Sequence, residues 1–255
     1  MGILEQFSLE GRTALVTGSS KGIGRAAAVA LASAGADVAL LNRGDASATA
    51  AEIRALGRRA VEITRDLAEA TPGELASDVD RAVSELGRLD VLVNNAGTIH
   101  RAPAVDYPAD AWDTVLRVNL DALFHLSQAA GRHMVERGSG RIISIASMLS
   151  FQGGILVPAY TASKHAVAGV TRALANEWAA SGVTVNAIAP GYIDTDNTEA
   201  LRADPEREAS IRGRIPAGRW GRPDDLTGAL VFLASPAAAY VTGAILPVDG
   251  GWLVR

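Results

Sequence analysis

Residues 12–35, RTALVTGSSKGIGRAAAVALASAG, decide the fold of this chain. The apolar run at 12–17 predicts a short strand, and the alanine-rich segment after the turn predicts a helix. Between them, Gly18, Gly22 and Gly24 suit a tight turn that a phosphate can approach closely. The first N–H groups of the following helix would point at that anion. Because the turn lies between a strand and a helix, we interpret it as a dinucleotide-binding element rather than a flexible loop.

Strands and helices alternate through the rest of the chain. Apolar runs predict buried strands at 37–41, 60–64, 90–93, 141–146, 183–189 and 244–248, with helical patterns between them. This alternation predicts an α/β fold with a parallel sheet. The glycines of the first turn favour a doubly wound sheet with helices on both faces over an eight-fold β/α barrel. Without a repeat or linker, we expect one domain, residues 1–255, with the polar segment at about 195–214 as a candidate lid.

Composition excludes several classes of protein. The 255 residues, 48% of them hydrophobic, supply one large core, and the net charge of −4 argues against binding nucleic acid. The absence of cysteine excludes disulfides and thiolate metal sites, and we expect no metal. The first residues lack the features of a signal peptide, and no apolar run reaches the roughly 18 residues of a membrane span. We therefore expect a cytoplasmic protein that does not contact a membrane.

The end of the second predicted strand bears on the choice of nucleotide. In dinucleotide folds an acid at this point binds the ribose 2′-hydroxyl, whereas an arginine accommodates a 2′-phosphate. Here Asn42 stands where the acid would fall, Arg43 follows it, and Lys21 lies in the glycine turn. The balance of charge predicts NADP, with NAD as the alternative.

Residues 147–164, SMLSFQGGILVPAYTASK, combine a hydroxyl, a phenol and an ammonium. Tyr160 and Lys164 are four residues apart and share one helical face. A free phenol has a pKa of about 10, and a cation about 4 Å away contributes roughly 4 kcal/mol at an effective dielectric of about 20. That would bring the pKa of Tyr160 to about 7, with Ser147 placed to hydrogen-bond the reacting oxygen. The alternative is a packed tyrosine beside a solvated lysine.

Two further polar sites lie in apolar surroundings. Residues 94–97, NNAG, follow the fourth predicted strand, at the edge where open α/β sheets bind ligands. Asn119 interrupts an apolar run in the helix predicted at 109–136, and a buried amide there needs a partner. Asn119 is either a structural hydrogen-bonding residue or part of a polar relay.

The order and spacing of these motifs resemble the short-chain dehydrogenase/reductase family. The resemblance runs from about residue 9 to 251 and rests on TGSSKGIG, NNAG, Asn119, Ser147, YTASK and Pro190-Gly191. The segments IASMLSFQGG, NEWA, VNAIAPGY, LRAD, RIPAGRWG and VDGGWL are similar to the branch that acts on 2-keto-3-deoxygluconate. GSSKGIG and Asn42-Arg43 are similar to the related branch that acts on gluconate. The resemblance implies a single-domain Rossmann-type fold and a homotetramer. Members of the 2-keto-3-deoxygluconate group are usually NAD-dependent, so Asn42-Arg43 together with Lys21 marks a departure from that group.

The resemblance also implies roles for individual residues. Tyr160 would be the general acid/base, Lys164 would lower its pKa and hold the nicotinamide ribose, and Ser147 would orient the substrate oxygen. Asn119 would fix a water that passes protons to Lys164. Asp66 would meet the adenine. The remaining expected cofactor contacts are Gly18, Ser20, Lys21, Gly22, Ile23, Gly24, Asn42, Arg43, Leu67, Asn94, Ala96, Gly97, Pro190, Gly191, Ile193 and Thr195.

A sugar-acid substrate carries a carboxylate, which arginine can bind in bidentate fashion. Arg101, directly after the NNAG turn, is the preferred anchor, Arg202 in the candidate lid is the second, and His100 is a weaker alternative. Each arginine has the competing interpretation of a solvated surface residue. Gln152 is expected at the substrate together with Ser147 and Tyr160.

Two other functions are compatible with the same motifs. A reductase of 3-ketoacyl groups on a carrier protein would need a basic docking face, which an acidic chain supplies poorly. A non-catalytic dinucleotide sensor would predict loss of the serine, tyrosine or lysine, and all three are present. The sequence therefore favours a sugar-acid oxidoreductase.

Overall fold

The computed structural model of the protein describes residues 2–255. Within them, seven parallel strands form one sheet in the order β3-β2-β1-β4-β5-β6-β7. The strands are β1 Thr13–Thr17, β2 Asp37–Asn42, β3 Ala60–Thr64, β4 Val91–Asn94, β5 Gly140–Ile145, β6 Val183–Pro190 and β7 Ile245–Val248. The strand order reverses between β1 and β4, the kind of switch point at which such sheets bind ligands. The predicted doubly wound parallel sheet is confirmed.

Helices cover both faces of the sheet. They are α1 Gly22–Ser33, α2 Ser47–Ala55, α3 Pro72–Leu86, α4 Ala109–Leu116, α5 Ala122–Arg137, α6 Pro158–Trp178, α7 Glu199–Arg202, α8 Pro205–Arg214 and α9 Thr227–Ala234. Alternate strand residues point to opposite faces, so Val16 packs in the layer that includes α1, α2 and α9, whereas Leu15 packs in the layer that includes α3, α5 and α6. None of the helices in residues 2–255 is long and apolar enough to cross a membrane.

The helix predicted at 109–136 is divided in the structure. A π-helical turn, Arg117–Asp121, separates α4 from α5 and contains the buried Asn119. Such a turn inserts one residue into the helical repeat and so redirects the side chains that follow. The apolar periodicity of the sequence did not predict this interruption.

The candidate lid consists of short helices packed on a small apolar cluster. Between β6 and α9, a 3₁₀ turn at Asp196–Thr198 leads into α7 and α8. Ile211 and Ile215, in and just after α8, pack with Met148 and Trp252. The segment therefore rests on the residue that follows Ser147.

Candidate active site

A cleft of about 640 Å³ opens at the carboxyl ends of the central strands. It brings together residues as far apart in the sequence as Gly18 and Thr198, including three of the four predicted catalytic residues, Ser147, Tyr160 and Lys164. Its other predicted members are Gly18, Ser20, Lys21, Gly22, Ile23, Gly24, Asn42, Arg43, Asp66, Leu67, Ala96, Gly97, Pro190, Gly191, Ile193 and Thr195. Asn94, Arg101, Asn119, Gln152 and Arg202 do not line it.

The glycine turn is held tightly against the loop after β4. Gly18 and Gly22 have φ values of +64° and +55°, in the left-handed region that favours glycine. A Cβ added to Gly18 would lie 3.0 Å from Ala96 Cα. Asn95 Nδ2 donates to the carbonyls of Thr17 and Gly18 at 2.9 and 3.1 Å. At Gly18, Gly22 and Gly24 the wall therefore presents only backbone, a shape that fits the close approach of a pyrophosphate.

Asn42 supports the glycine turn through two hydrogen bonds. Its Oδ1 accepts a hydrogen bond from Ser20 N at 3.0 Å, and its Nδ2 donates to Ser19 Oγ at 2.9 Å. The side chain is buried, with both ends of the amide used inside the protein. Asn42 thus positions the turn. The cations that line this end of the cleft are Lys21, Arg43 and Arg65, and Arg65 is paired with Glu74 and Asp78.

The side chain of Asn94, a predicted cofactor contact, does not line the cleft. As the last residue of β4 it is buried, and its Nδ2 donates to Ser127 Oγ on α5 at 2.8 Å. Successive side chains of a strand point in opposite directions, so the next residue, Asn95, faces the cleft instead.

The predicted catalytic residues converge at one end of the cleft. Ser147 follows β5 and accepts a hydrogen bond from Leu149 N at 3.1 Å. Tyr160 is half-buried in the first turn of α6, and Lys164 is buried one turn later. Lys164 Nζ donates to Ile145 O at 2.6 Å and lies 5.5 Å from the centroid of the Tyr160 ring.

The pKa of Tyr160 does not move in the direction expected from its spacing to Lys164. Burial raises the pKa of the phenol, while hydrogen bonding with the Ser147 side chain and the positive charge of Arg101 act in the opposite direction. Burial also lowers the pKa of Lys164 to about 8, since a buried ammonium loses its hydration. The spacing argument omitted the cost of removing both groups from water.

Asn119 is a buried hydrogen-bonding residue in the π-helical turn. Its Nδ2 donates to Thr98 O at 2.9 Å and to Ser163 Oγ at 3.1 Å, and its Oδ1 accepts from Thr98 N at 2.8 Å. Ser163 Oγ in turn donates to Tyr160 O at 2.8 Å. Asn119 therefore connects the loop after β4 to the turn of α6 that carries the phenol.

The two arginines differ in their surroundings. Arg202 pairs with Asp194 at 2.7 Å and donates to Thr195 O at 3.3 Å, so it braces the loop after β6. Arg101 donates to Asn197 O at 3.2 Å, and its positive charge acts on the pKa of Tyr160. Only Arg101 thus has an electrostatic connection to the predicted reacting group.

Comparison with known proteins places this architecture in a family. A family model described as enoyl-(acyl carrier protein) reductase matches residues 18–253. The chain belongs to the short-chain dehydrogenase/reductase family. The 2-dehydro-3-deoxy-D-gluconate 5-dehydrogenase of Bacillus subtilis (strain 168) is 56% identical over the full length of both chains.

Two solved members of the short-chain dehydrogenase/reductase family are similar over the whole chain. A protein from Agrobacterium tumefaciens, provisionally named a 2-deoxy-D-gluconate 3-dehydrogenase and solved with bound NADP, is 54% identical, with a TM-score of 0.91 over 98% of this chain and 99% of that one. The gluconate 5-dehydrogenase of Burkholderia cenocepacia J2315, in complex with NADP and tartrate, is 40% identical, with a TM-score of 0.95 over 100% of both chains.

An aromatic cluster beside the site was not predicted. The Tyr192 ring lies 5.3 Å from that of Trp220 and 4.8 Å from that of Trp252, centroid to centroid. Met148 and Ile211 belong to the same cluster, which joins the catalytic loop of this short-chain dehydrogenase/reductase to its candidate lid. Trp220 in RWG and Trp252 in GGW were the available signal in the sequence. Their contacts with Tyr192 depend on folding that brings distant segments together.

Proposed function

We propose that this protein is an NADP-dependent oxidoreductase that interconverts a secondary alcohol and a ketone on a sugar acid of the gluconate or 2-keto-3-deoxygluconate type. The observation that carries the proposal is a single cleft with the glycine turn at one end and Ser147, Tyr160 and Lys164 at the other. The names of the relatives support the substrate class, and the NADP of the solved neighbours supports the cofactor.

The residues of the cleft fit a phosphorylated dinucleotide. The glycine turn leaves backbone N–H groups available to a pyrophosphate. A Cβ at Gly18 or Gly24 would crowd Asn95 of the neighbouring loop. Lys21 and Arg43 supply positive charge for a 2′-phosphate, and Asp66 lies on the same side for the adenine. Ile193 and Thr195, after β6, are the proposed carboxamide contacts.

The protein's own contribution to the reaction is proton transfer and orientation. Bound NADPH would supply the hydride in reduction, and bound NADP⁺ would accept it in oxidation. Tyr160 donates a proton to the substrate oxygen in reduction and removes it in oxidation, while the Ser147 hydroxyl holds that oxygen in place. Because burial raises the pKa of Tyr160, the phenol is protonated at neutral pH, which suits it to act as the acid in reduction.

Lys164 and Asn119 act on Tyr160 rather than on the substrate. Lys164 carries a positive charge below its pKa of about 8 and favours the phenolate when the proton leaves. We assign Asn119 a positioning role, because its amide holds Thr98 and, through Ser163, the turn of α6 that contains Tyr160. The water relay to Lys164 remains a prediction from the family resemblance.

We propose Arg101 as the anchor of the substrate carboxylate. Its guanidinium has one hydrogen bond, to Asn197 O, and its charge acts on Tyr160. Arg202 is less suited because Asp194 already neutralises it. Gln152 lies in the loop between Ser147 and Tyr160, where it can contact a bound sugar acid. His100 packs edge-on against Tyr107, with ring centroids 5.4 Å apart.

Turnover of a panel of hexonates and deoxyhexonates with NADP and NAD, followed by nicotinamide absorbance, tests the function. We expect a sugar acid with NADP to give the highest kcat/KM. Faster reduction of a 3-ketoacyl carrier-protein thioester would overturn the sugar-acid assignment. Nucleotide binding without turnover of any hexonate would favour a sensor. Tyr160→Phe serves as the control for contaminating dehydrogenases.

We also propose a cytoplasmic location, one domain with a lid at about 195–214, and a homotetramer. These follow from the family resemblance and from the composition. Light scattering on the purified protein tests the assembly, because a tetramer of 26.4 kDa chains has about four times the mass of one chain.

A further inference from the structure

The two lysines of the chain both line the cleft. The sequence has 24 lysines and arginines in total. Only Lys21 and Lys164 are lysines, and all the others are arginines. Lysine presents a compact point charge with three donors, whereas arginine presents a planar fork. The ammonium of Lys21 lies 2.5 Å from the carboxylate of Asp196. This ion pair joins the glycine turn to the loop after β6, on the opposite wall of the cleft.

The loop that carries Asp196 is held in place by several contacts. Thr198 Oγ1 donates to Ile193 O at 2.7 Å, and Arg101 donates to the carbonyl of Asn197. The two walls also lie close together, since a Cβ added to Gly22 would lie 3.5 Å from Thr195 Cγ2. Asp196 is thus presented to Lys21 by a braced segment rather than by a free side chain on an unsupported loop.

The second cation at this end of the cleft also has a carboxylate neighbour. Arg43 Nη1 lies 3.9 Å from Asp66 Oδ2. Each of the two positive charges that would meet a 2′-phosphate therefore already faces a negative one. A phosphate that binds here must compete with those carboxylates, whereas a nucleotide without it leaves both pairs intact.

We propose that Asp196 limits the preference for NADP over NAD by competing with the 2′-phosphate for Lys21. The proposal rests on the NADP site described above. The Lys21 ammonium can either turn from Asp196 to the 2′-phosphate or contact both. In either case the Asp196 carboxylate reduces the binding free energy that the phosphate gains from Lys21. Asp196 is accordingly a specificity-determining residue that acts on the nucleotide through another side chain.

Calorimetric titration of NADP and NAD into the unmodified chain and three variants tests the proposal. Exposed ion pairs contribute modestly, so Asp196→Asn should lower the Kd of NADP about two- to fivefold and leave that of NAD unchanged. Glu199→Gln, the same loss of charge at an exposed position three residues along, should change neither. In Lys21→Met the effect of adding Asp196→Asn should disappear, because the two side chains act as a pair.

Acetylation of Lys21, measured by peptide mass spectrometry, provides a readout that needs no turnover. Lys21 is exposed while Lys164 is buried, so the reagent discriminates between them. We expect Asp196→Asn to accelerate labelling of Lys21 and NADP to slow it more than NAD does. Equal tightening of NADP and NAD in Asp196→Asn, or an effect that persists in Lys21→Met, overturns the competition.

The same experiment separates failure of this proposal from failure of the cofactor site. If Lys21→Met weakens NADP but Asp196→Asn changes nothing, the competition is wrong and the 2′-phosphate site stands. If Lys21→Met leaves NADP binding unchanged, Lys21 does not meet the 2′-phosphate, and both the competition and the assignment of Lys21 to the cofactor site are wrong. Neither result depends on which sugar acid is the substrate.

Discussion

Lys164→Met should make the protein inactive but more stable at neutral pH. Burial lowers the pKa of Lys164 from 10.5 to about 8. A difference of about 2.5 units corresponds to roughly 3.4 kcal/mol against the charged form in the folded protein. Methionine removes this cost but leaves Ile145 O without its donor, a loss of about 1–3 kcal/mol. The expected gain in the free energy of unfolding at pH 7 is therefore about 0.5–2.5 kcal/mol.

The free energy of unfolding gained in Lys164→Met should depend on pH. Because the folded pKa of Lys164 lies below the unfolded one, the unfolded chain binds more protons between about pH 8 and 10.5. The stability of the unmodified protein therefore rises with pH through that window, relative to a chain without this group. The advantage of Lys164→Met should shrink by about 2 kcal/mol between pH 7 and about pH 9.5.

Urea unfolding followed by tryptophan fluorescence, at both pH values and on both proteins, measures this change. Titrations of groups that do not interact with Lys164 cancel in the difference between the two proteins. Lys21→Met is the matched control, because it makes the same substitution at the other lysine, whose side chain is exposed. A stability difference that is constant to within about 0.5 kcal/mol across the two pH values would refute the assignment of a depressed pKa to Lys164.

The remaining predictions concern catalysis and specificity. Tyr160→Phe should lower kcat by about 10²–10⁴-fold with nearly unchanged NADP affinity, and a variant that keeps a third of wild-type kcat would remove Tyr160 from the mechanism. Because burial raises the pKa of Tyr160, kcat/KM for alcohol oxidation should rise from neutral to alkaline pH, whereas that for ketone reduction should be flat near neutrality and then fall. Arg101→Ala should raise KM for the sugar acid but not for an uncharged polyol. Arg202→Ala should affect both substrates equally, because it loosens the loop after β6. Equal losses in both variants on both substrates would show that neither arginine anchors the carboxylate. Arg43→Asp should shift kcat/KM toward NAD, and an unchanged ratio of kcat/KM for the two cofactors would exclude Arg43 from the 2′-phosphate site.

Local patterns in the sequence were sufficient for the architecture. Residues 12–35 predicted a strand, a glycine turn and a helix, and β1 and α1 lie there because the burial of apolar runs and the freedom of glycine at positive φ are properties of short segments. The strand predicted at 60–64 matches β3 residue for residue. The Tyr160–Lys164 pair on one helical face is likewise a consequence of helical geometry over one turn.

Features that depend on contacts between distant segments were decided by the tertiary structure. The pairing of Lys21 with Asp196 joins residues 175 positions apart, and neither residue indicates the other in the sequence. The side of β4 to which Asn94 points depends on where that strand ends and on which helix packs against it. The direction in which the pKa of Tyr160 shifts depends on how much water the folded chain removes from the phenol. Spacing along a helix carries no information about that burial. The sequence by itself therefore determined the sheet, the glycine turn and the helical spacing of the predicted catalytic pair. The tertiary structure decided which charges are paired, which groups are buried and which way side chains point. Each of these depends on neighbouring residues that are distant in the sequence and that only folding brings together.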